Sequence, residues 1–122
     1  MIELHVGSAS FSEAKAGLLA AWETVGKVYF ARVNPTTLKV SAPVSPLGNP
    51  RGKHPVAVGN AQGEVLMVWT EGTGWQRGGR VAWQLYDPVG NPTSAKGRAD
   101  GVPVWSLVTA FAQPDGNFVI VY

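Results

Sequence analysis

The sequence predicts an all-β fold built from antiparallel, four-stranded meanders. Its 122 residues include 15 glycines and 9 prolines, which divide the chain into short segments separated by turns. Between the turns lie runs rich in Val, Ile, Leu and aromatic residues, which is the composition of strands. Similar runs return 53 residues later along the chain, which predicts a repeated sheet-forming unit. A chain of this length is expected to form one domain or less.

The clearest predicted element is a hairpin in the middle of the chain. Residues 65–69 are apolar at both parities, which predicts a strand buried on both faces. In residues 80–86, the apolar side chains of Val81, Trp83 and Leu85 alternate with a more polar set of side chains. This alternation predicts a more exterior strand. The two strands are expected to pair antiparallel across a long loop whose four glycines permit φ > 0.

The N-terminal third has a less decisive pattern. Residues 1–7 alternate between apolar and polar side chains, which predicts an extra strand. Residues 12–22 fit a helix with a serine N-cap, and propensity alone favours that helix. Gly17 at the onset of the apolar run and the strand-like residues 27–33 instead favour a strand over residues 18–23.

The remaining elements follow from the turn residues that bound them. Further strands are predicted over residues 38–42, 54–58, 93–98, 107–111 and 117–122. Turns are predicted at residues 34–35, 59–63, 87–88, 90–92 and 113–116, and a Pro/Gly loop at residues 43–53. The resulting units span about residues 7–53, 54–106 and 107–122, preceded by the extra strand of residues 1–7.

The repeat is visible when Tyr122 is aligned with Trp69. The offset of 53 residues then pairs Gly63 with Gly116 and matches apolar with apolar along the adjoining strands. Trp22 lies 47 residues before Trp69, so the hairpin turn of the central unit is predicted to be six residues longer than that of the first. A period of this size with about four strands suits a propeller blade. The chain would hold two and a half blades.

Several segments of the second half carry a family resemblance. VWTEGTGWQRGG, VAWQLYD, GNP, GVPVW and FVIVY occur in that order between residues 68 and 122. In this arrangement the chain resembles the C-terminal blades of sialidase-like (BNR-repeat) β-propeller proteins, which are frequent in environmental bacteria and often exported. The resemblance covers residues 54–122 well and residues 1–53 more loosely. The Asp-box motif, Ser-x-Asp-x-Gly-x-Thr-Trp, is absent, so the resemblance implies the fold more than the activity.

Composition and charge argue against several function classes. The net charge is +2 and the ten Lys and Arg are scattered, so nucleic acid is not an expected partner. No apolar run reaches membrane-spanning length, and residues 1–8 lack the form of a signal peptide. With no cysteine and two histidines, neither a metal site nor a cofactor is expected.

The glycine-rich loop of the central hairpin is the leading candidate for ligand binding. It carries Trp75, Gln76 and Arg77, with Arg80 beside it and Glu71 at its root. An aromatic ring with planar hydrogen-bonding groups around it is the combination that sugars need. The competing interpretation is structural: Trp75 folds back as a plug and Arg77 pairs with Glu71, since partly buried Trp is the usual state.

The sequence gives weaker signals for other kinds of binding or catalytic site. Five arginines could clamp a carboxylate as those of sialidases do: Arg32, Arg51, Arg77, Arg80 and Arg98. No pair of carboxyl groups is marked as catalytic, because most lie at predicted turns. His54 is expected to cap a strand end. The tryptophans outside the loop, Trp22, Trp69, Trp83 and Trp105, are expected in the core.

These observations favour a non-catalytic, propeller-derived recognition or structural module, with a glycan as the candidate ligand. The alternative is the C-terminal part of a sialidase-like glycoside hydrolase whose catalytic residues lie in upstream blades. Two and a half blades leave apolar faces uncovered, and each uncovered aromatic ring carries about 150–250 Å² of surface. We therefore expect either a homo-oligomer or the remainder of a longer propeller.

Overall fold

The fold is all-β and antiparallel throughout, as the sequence predicts. The computed structural model of the chain describes residues 8–14, 17–48 and 51–122, and none of these residues is helical. The strands form sheets of three, four and two members, each in sequential order. In chain order they are β1 (Ser8–Ala14), β2 (Gly17–Thr24), β3 (Lys27–Val33), β4 (Gly52–Gly59), β5 (Val65–Glu71), β6 (Gly79–Tyr86), β7 (Pro92–Val102), β8 (Thr109–Ala112) and β9 (Phe118–Val121).

Strand β5 is the most buried element, which confirms the prediction for residues 65–69. Its first six residues are all buried, because the first sheet covers one face and the third sheet covers the other. It pairs with β6 in the register that sets Val68 opposite Trp83 and Glu71 opposite Arg80. Full burial of each aliphatic side chain contributes about 1.5–3 kcal/mol. This strand therefore anchors the packing of all three sheets.

The prediction that β6 is a more exterior strand is wrong for the more polar of its two alternating sets of side chains. Ala82, Gln84 and Tyr86 are buried, whereas Trp83 and Leu85 on the other parity are only half-buried. The more polar parity faces the first sheet. Gln84 tolerates burial because its side-chain amide donates to the backbone carbonyls of Leu85 at 2.8 Å and Thr93 at 2.9 Å.

The first sheet resolves the ambiguity between helix and strand in favour of strands. Strand β1 occupies residues that the helical alternative would have included, and β2 confirms the strand predicted over residues 18–23. Strands β2 and β3 join through Val25 and Gly26, both at positive φ, as a tight two-residue hairpin turn requires. Two residues separate Thr24 from Lys27, and eight separate Glu71 from Arg80. The predicted difference of six residues is confirmed.

Two predicted strands differ from the structure, and one lies outside the described residues. Residues 38–42 form no continuous strand, because their contact with β3 is limited to the isolated bridge of Val40 to Val33 and to the hydrogen bonds that Ser41 makes with the Arg32 backbone. The strand predicted over residues 93–98 extends across all eleven residues of β7, where β6 supplies a full-length partner. The extra strand predicted over residues 1–7 lies outside the described residues.

The repeat predicted from the sequence reappears in the turns. The amide of Gly63 donates to the Asn60 carbonyl, and that of Gly116 donates to the Gln113 carbonyl. Gly63 and Gly116 have φ of 86° and 91°, a conformation that favours glycine. The β4–β5 and β8–β9 hairpins therefore share one turn geometry at the predicted offset of 53 residues.

The three sheets pack face to face in chain order. Leu19, Ala21 and Phe30 of the first sheet pack against the central sheet on the side of Ala57 and Met67. The opposite side of the central sheet receives the third sheet in a second apolar cluster, which includes Leu66, Val68, Val108, Ala110, Phe118 and Ile120. The described part of the chain contains no helix long and apolar enough to cross a membrane.

Candidate functional site

The candidate site lies at one end of the central sheet. Strands β5 and β7 end there and β4 and β6 begin there, so two connections meet at this end. One is the hairpin loop of residues 72–78, and the other is the segment of residues 103–108 that leads to β8. Because loops at one end of a sheet converge without disturbing its core, such ends commonly carry binding residues.

The hairpin loop is held in one shape by its own hydrogen bonds. Gly74 and Arg77 exchange backbone hydrogen bonds of 3.2 and 3.1 Å, which leaves Trp75 and Gln76 as the two central residues of a tight turn. The Arg77 Nε donates to the Gly72 carbonyl at 2.9 Å, and the Lys53 Nζ donates to the Thr73 carbonyl at 3.2 Å. This bonding positions the Trp75 ring at the tip of the loop.

Trp75 and Trp105 form an exposed aromatic pair. Their ring centroids lie 4.9 Å apart with the planes at 88°, an edge-to-face arrangement. Trp75 is 79% exposed and Trp105 is 67% exposed. The prediction that Trp105 is a core residue is therefore wrong, and the structural interpretation of Trp75 as a folded-back plug does not describe its side chain. Trp22 and Trp69 are buried as predicted.

A turn in the connection before β8 presents Trp105. The Ser106 amide donates to the Pro103 carbonyl at 3.2 Å, and Trp105 has φ of 63° within this turn. Positive φ is unusual for a bulky residue, and Gln76 and His54 share it, both with φ of 50°. Such backbone strain concentrates at functional sites. Three of the described residues with positive φ other than glycine, His54, Gln76 and Trp105, lie at this end of the sheet.

A groove of about 370 Å³ lies beside the aromatic pair. Its volume is within the range of small-molecule sites. Its lining combines the Trp105 ring with the side chains of Lys53, His54, Thr73, Arg77, Ser106 and Leu107. None of these side chains is acidic, so the groove presents hydrogen-bond donors and cationic groups against an apolar wall.

Glu71 and Arg80 do not line this groove, although the sequence grouped them with Trp75. The Glu71 carboxylate accepts hydrogen bonds from the Trp69 Nε1 at 3.1 Å and from Arg98 at 2.9 and 3.2 Å. The Arg80 Nε lies 3.7 Å from the same carboxylate. The structural interpretation that Arg77 pairs with Glu71 is wrong, because Arg98 on β7 lies closer to that carboxylate and fills its acceptor sites.

The environment of Glu71 favours its charged form. Burial raises the pKa of its carboxyl, but the hydrogen bonds from Arg98 and Trp69 and the charges of Arg98 and Arg80 outweigh burial. The net pKa of Glu71 lies below its usual value. The hydrogen bond and charge of Glu71 in turn raise the pKa of Arg98. A carboxylate fixed in this state serves as an ionic link between β5, β6 and β7.

The five arginines do not converge on one point. Arg80 and Arg98 meet at Glu71, and Arg77 bonds within its own loop. Arg32 lies at the opposite end of the sheets, with its Nη2 3.5 Å from the carbonyls of Gly63 and Pro88. Among the described residues, no three His, Asp or Glu side chains are grouped to hold a metal ion.

The sequence groups Trp75, Gln76 and Arg77 in one loop, but it does not reveal the residues that other elements bring beside that loop. Lys53 and His54 lie near the start of β4, and Trp105 follows β7, so only the pairing of the strands brings them to the loop. The available signal was the Val-Pro-Val-Trp segment, since a proline directly after a strand marks a turn that can expose the next aromatic residue.

Comparison with known proteins identifies no relative of this chain. No protein-family model matches the chain, and neither the curated proteins nor the solved structures give a match.

Proposed function

We propose that this chain is a non-catalytic recognition module, derived from propeller-type repeats, that binds carbohydrate on the Trp75–Trp105 pair. The observation that carries the proposal is the joint exposure of two adjacent tryptophans, at 79% and 67%. An indole ring left in water forgoes about 2–4 kcal/mol of burial. Exposed apolar patches on a folded domain mark interaction sites more often than chance.

The polar groups around the pair suit a sugar. A pyranose presents an apolar face of C–H groups and a rim of hydroxyls, so it needs a flat aromatic surface with donors and acceptors at its edge. Gln76 and Arg77 follow Trp75 in the loop, and Thr73, Ser106 and His54 line the same groove as Trp105. These side chains offer planar amide, guanidinium, hydroxyl and imidazole groups.

The alternative, the C-terminal part of a sialidase-like glycoside hydrolase, has less support. A carboxylate clamp requires arginines whose charges are free for substrate. Arg80 and Arg98 both contact the Glu71 carboxylate, so two of the five arginines already have an acidic partner. The recognition module therefore explains more of the geometry.

A glycan array probed with the labelled full chain tests the proposal. The parent protein should bind a defined subset of glycans, and Trp75→Ala and Trp105→Ala should each weaken the best hit at least tenfold, about 1.4 kcal/mol. Leu47→Ala is the matched control, because Leu47 is exposed but lies in a different groove, beside Pro46. Trp75→Phe should restore part of the lost affinity.

Two outcomes contradict the proposal. A parent protein that binds no glycan would exclude carbohydrate as the ligand class. Binding that survives both tryptophan substitutions in folded protein would exclude this end of the sheet as the site. A purely structural assembly protein predicts that Trp75→Ala leaves every glycan signal unchanged.

A further inference from the structure

The groove beside the Trp75–Trp105 pair holds two cationic side chains that come from different elements. Lys53 lies near the start of β4, and Arg77 lies in the hairpin loop. The Lys53 Nζ donates to the Thr73 carbonyl at 3.2 Å, and the Arg77 Nε donates to the Gly72 carbonyl at 2.9 Å. Both cationic groups are therefore tethered to consecutive residues of the same loop.

These two charges have no acidic partner in the part of the chain that the structure describes. The salt bridges at this end of the central sheet belong to the Glu71 carboxylate, and neither Lys53 nor Arg77 takes part in them. Glu23 accepts from the His54 backbone amide at 3.3 Å, but it does not line the groove. Because two like charges in one groove repel each other, an anion bound between them would be favoured.

Both cationic groups keep donors for such an anion. Each uses one N–H group on a loop carbonyl, and an ammonium or a guanidinium has further N–H groups to offer. The side chains of Lys53 and Arg77 are exposed, so a ligand can reach them from solvent. Trp105 and Leu107 line the same groove and are 67% and 62% exposed. The groove therefore places a site for negative charge directly beside an apolar surface.

We propose that the carbohydrate bound at this end of the sheet is acidic, with its carboxylate or sulfate group in the groove between Lys53 and Arg77. This inference rests on the proposed function and adds the charge of the ligand to it. The sugar ring would lie on the Trp75–Trp105 pair, and the anionic substituent would accept hydrogen bonds from both cationic groups. Such a site needs one lysine and one arginine, and it does not need a cluster of arginines.

A glycan array that holds neutral, carboxylated and sulfated versions of the same oligosaccharides tests this inference on the full chain. The acidic versions should dominate the bound subset, and their neutral counterparts should bind about tenfold more weakly. Raising NaCl from about 50 to about 500 mM should weaken binding of the acidic versions and leave the neutral versions nearly unchanged, because salt screens attraction between charges. The ranking of carboxylated against sulfated versions identifies the anionic group.

Substitution of Lys53 tests the position of the anion. Lys53→Gln should weaken binding of the best acidic glycan about fivefold, the upper end for a partly exposed ion pair, and should not change binding of its neutral counterpart. Lys53→Arg should retain most of the affinity because it keeps the charge. Lys39→Gln is the matched control, since Lys39 is an exposed lysine that does not line the groove and its loss changes the net charge equally.

Substitution of Arg77 needs a paired comparison, because this side chain also bonds within its own loop. Arg77→Lys and Arg77→Gln both lose the Nε donor to Gly72, but only Arg77→Gln loses the charge. The acidic glycan should therefore bind Arg77→Lys more tightly than Arg77→Gln, and the salt dependence should be smaller for Arg77→Gln. Far-UV circular dichroism verifies that each variant is folded.

Three results would overturn the inference, and they separate it from the proposed function. A bound subset made up of neutral glycans that depends on Trp75 and Trp105 would contradict the acidic ligand and leave the proposed function intact. A parent protein that binds no glycan would contradict both. Acidic binding that is unchanged in folded Lys53→Gln and Arg77→Gln variants would exclude this groove as the site of the anion.

Discussion

The Arg98 guanidinium donates two hydrogen bonds to the Glu71 carboxylate, Nε to Oε2 at 2.9 Å and Nη2 to Oε1 at 3.2 Å. This two-point contact spans β5 and β7, which are not neighbours, because β6 lies between them. Charged, two-point hydrogen bonds are stronger and more directional than a single neutral bond. The pair therefore fixes how the three strands meet at the base of the loop that carries Trp75.

Glu71→Gln should destabilise the fold by about 1–2 kcal/mol at pH 7, since a charge-assisted hydrogen bond contributes about 1.5–3 kcal/mol and part is retained by the amide. The pKa of Glu71 is lowered in the folded state. Its stabilisation is therefore present above the ordinary pKa and is lost as pH falls through the folded value. Urea unfolding between pH 7 and pH 3 should show that the free energy of unfolding decreases less steeply with falling pH in the variant than in the parent. Equal acid slopes for parent and variant would show that Glu71 does not contribute.

Gly79→Ala should be far more damaging than Gly74→Ala, although Gly74 lies within the hairpin loop and Gly79 directly follows it. A Cβ at position 79 would clash with the Glu71 carbonyl and lie 2.9 Å from the Thr73 amide nitrogen, and neither backbone atom can move freely. A Cβ at position 74 would meet nothing within 4 Å. We expect a loss of about 2–4 kcal/mol for the first, of the order seen when a packed site is overfilled. Thermal unfolding of the two variants measures the difference, and similar melting temperatures would contradict it.

The sequence predicted the central hairpin well because its signals are local. The apolar run of residues 65–69 needs no partner to be recognised, and the length of the hairpin turn followed from the spacing of Trp22 and Trp69. The misassigned face of β6 shows the limit. Gln84 looks like an exterior residue, but carbonyls of Leu85 and Thr93 satisfy its amide, and a pattern of hydrophobicity does not reveal such partners.

The candidate site was predicted only in part, for a related reason. Trp75 and its neighbours are adjacent in the sequence, so their grouping was visible. Trp105 is 30 residues away, and its exposure depends on a turn with positive φ that its own residue type does not favour. The partner of Glu71 was misassigned because cross-strand register, not sequence distance, brings Arg98 to it.

Asn60→Ala should loosen the third sheet more than the rest of the protein. The buried Asn60 side chain accepts from the amides of Gln62 and Glu64, and its Nδ2 donates to the Gly116 carbonyl at 3.0 Å. It thereby joins the β4–β5 turn to the β8–β9 turn. We expect a loss of about 1–3 kcal/mol from the groups left unpaired.

Hydrogen exchange of the amides in β8 and β9 measures this effect. Asp87→Ala is the matched control, because Asp87 orders the β6–β7 turn by accepting from the amides of Val89, Gly90 and Asn91 in its own turn. Asn60→Ala should speed exchange in β8, β9 and the β4–β5 turn, whereas Asp87→Ala should speed it near the β6–β7 turn. Uniform acceleration along the chain would contradict a local role.

Tyr86→Phe should leave the protein as stable as the parent or more stable at pH 7. The Tyr86 ring is buried against Phe30, with centroids 4.9 Å apart, and its hydroxyl has no hydrogen-bond partner among the described residues. Removing an unpaired buried hydroxyl should contribute about 1 kcal/mol. Burial also raises the pKa of Tyr86 from 10.0 to about 12.

That shift predicts an alkaline loss of stability in the parent that Tyr86→Phe should lack. Because burial disfavours the ionised phenolate, the unfolded chain loses this proton first, and the stability of the parent falls as pH rises from 10 towards 12. The full shift corresponds to about 3 kcal/mol, of which about half is lost at pH 11. Urea unfolding at pH 7 and pH 11 measures both effects, with Tyr122→Phe as the control because that ring is exposed. A Tyr86→Phe variant that is less stable than the parent at pH 7 would show that the hydroxyl makes a favourable hydrogen bond.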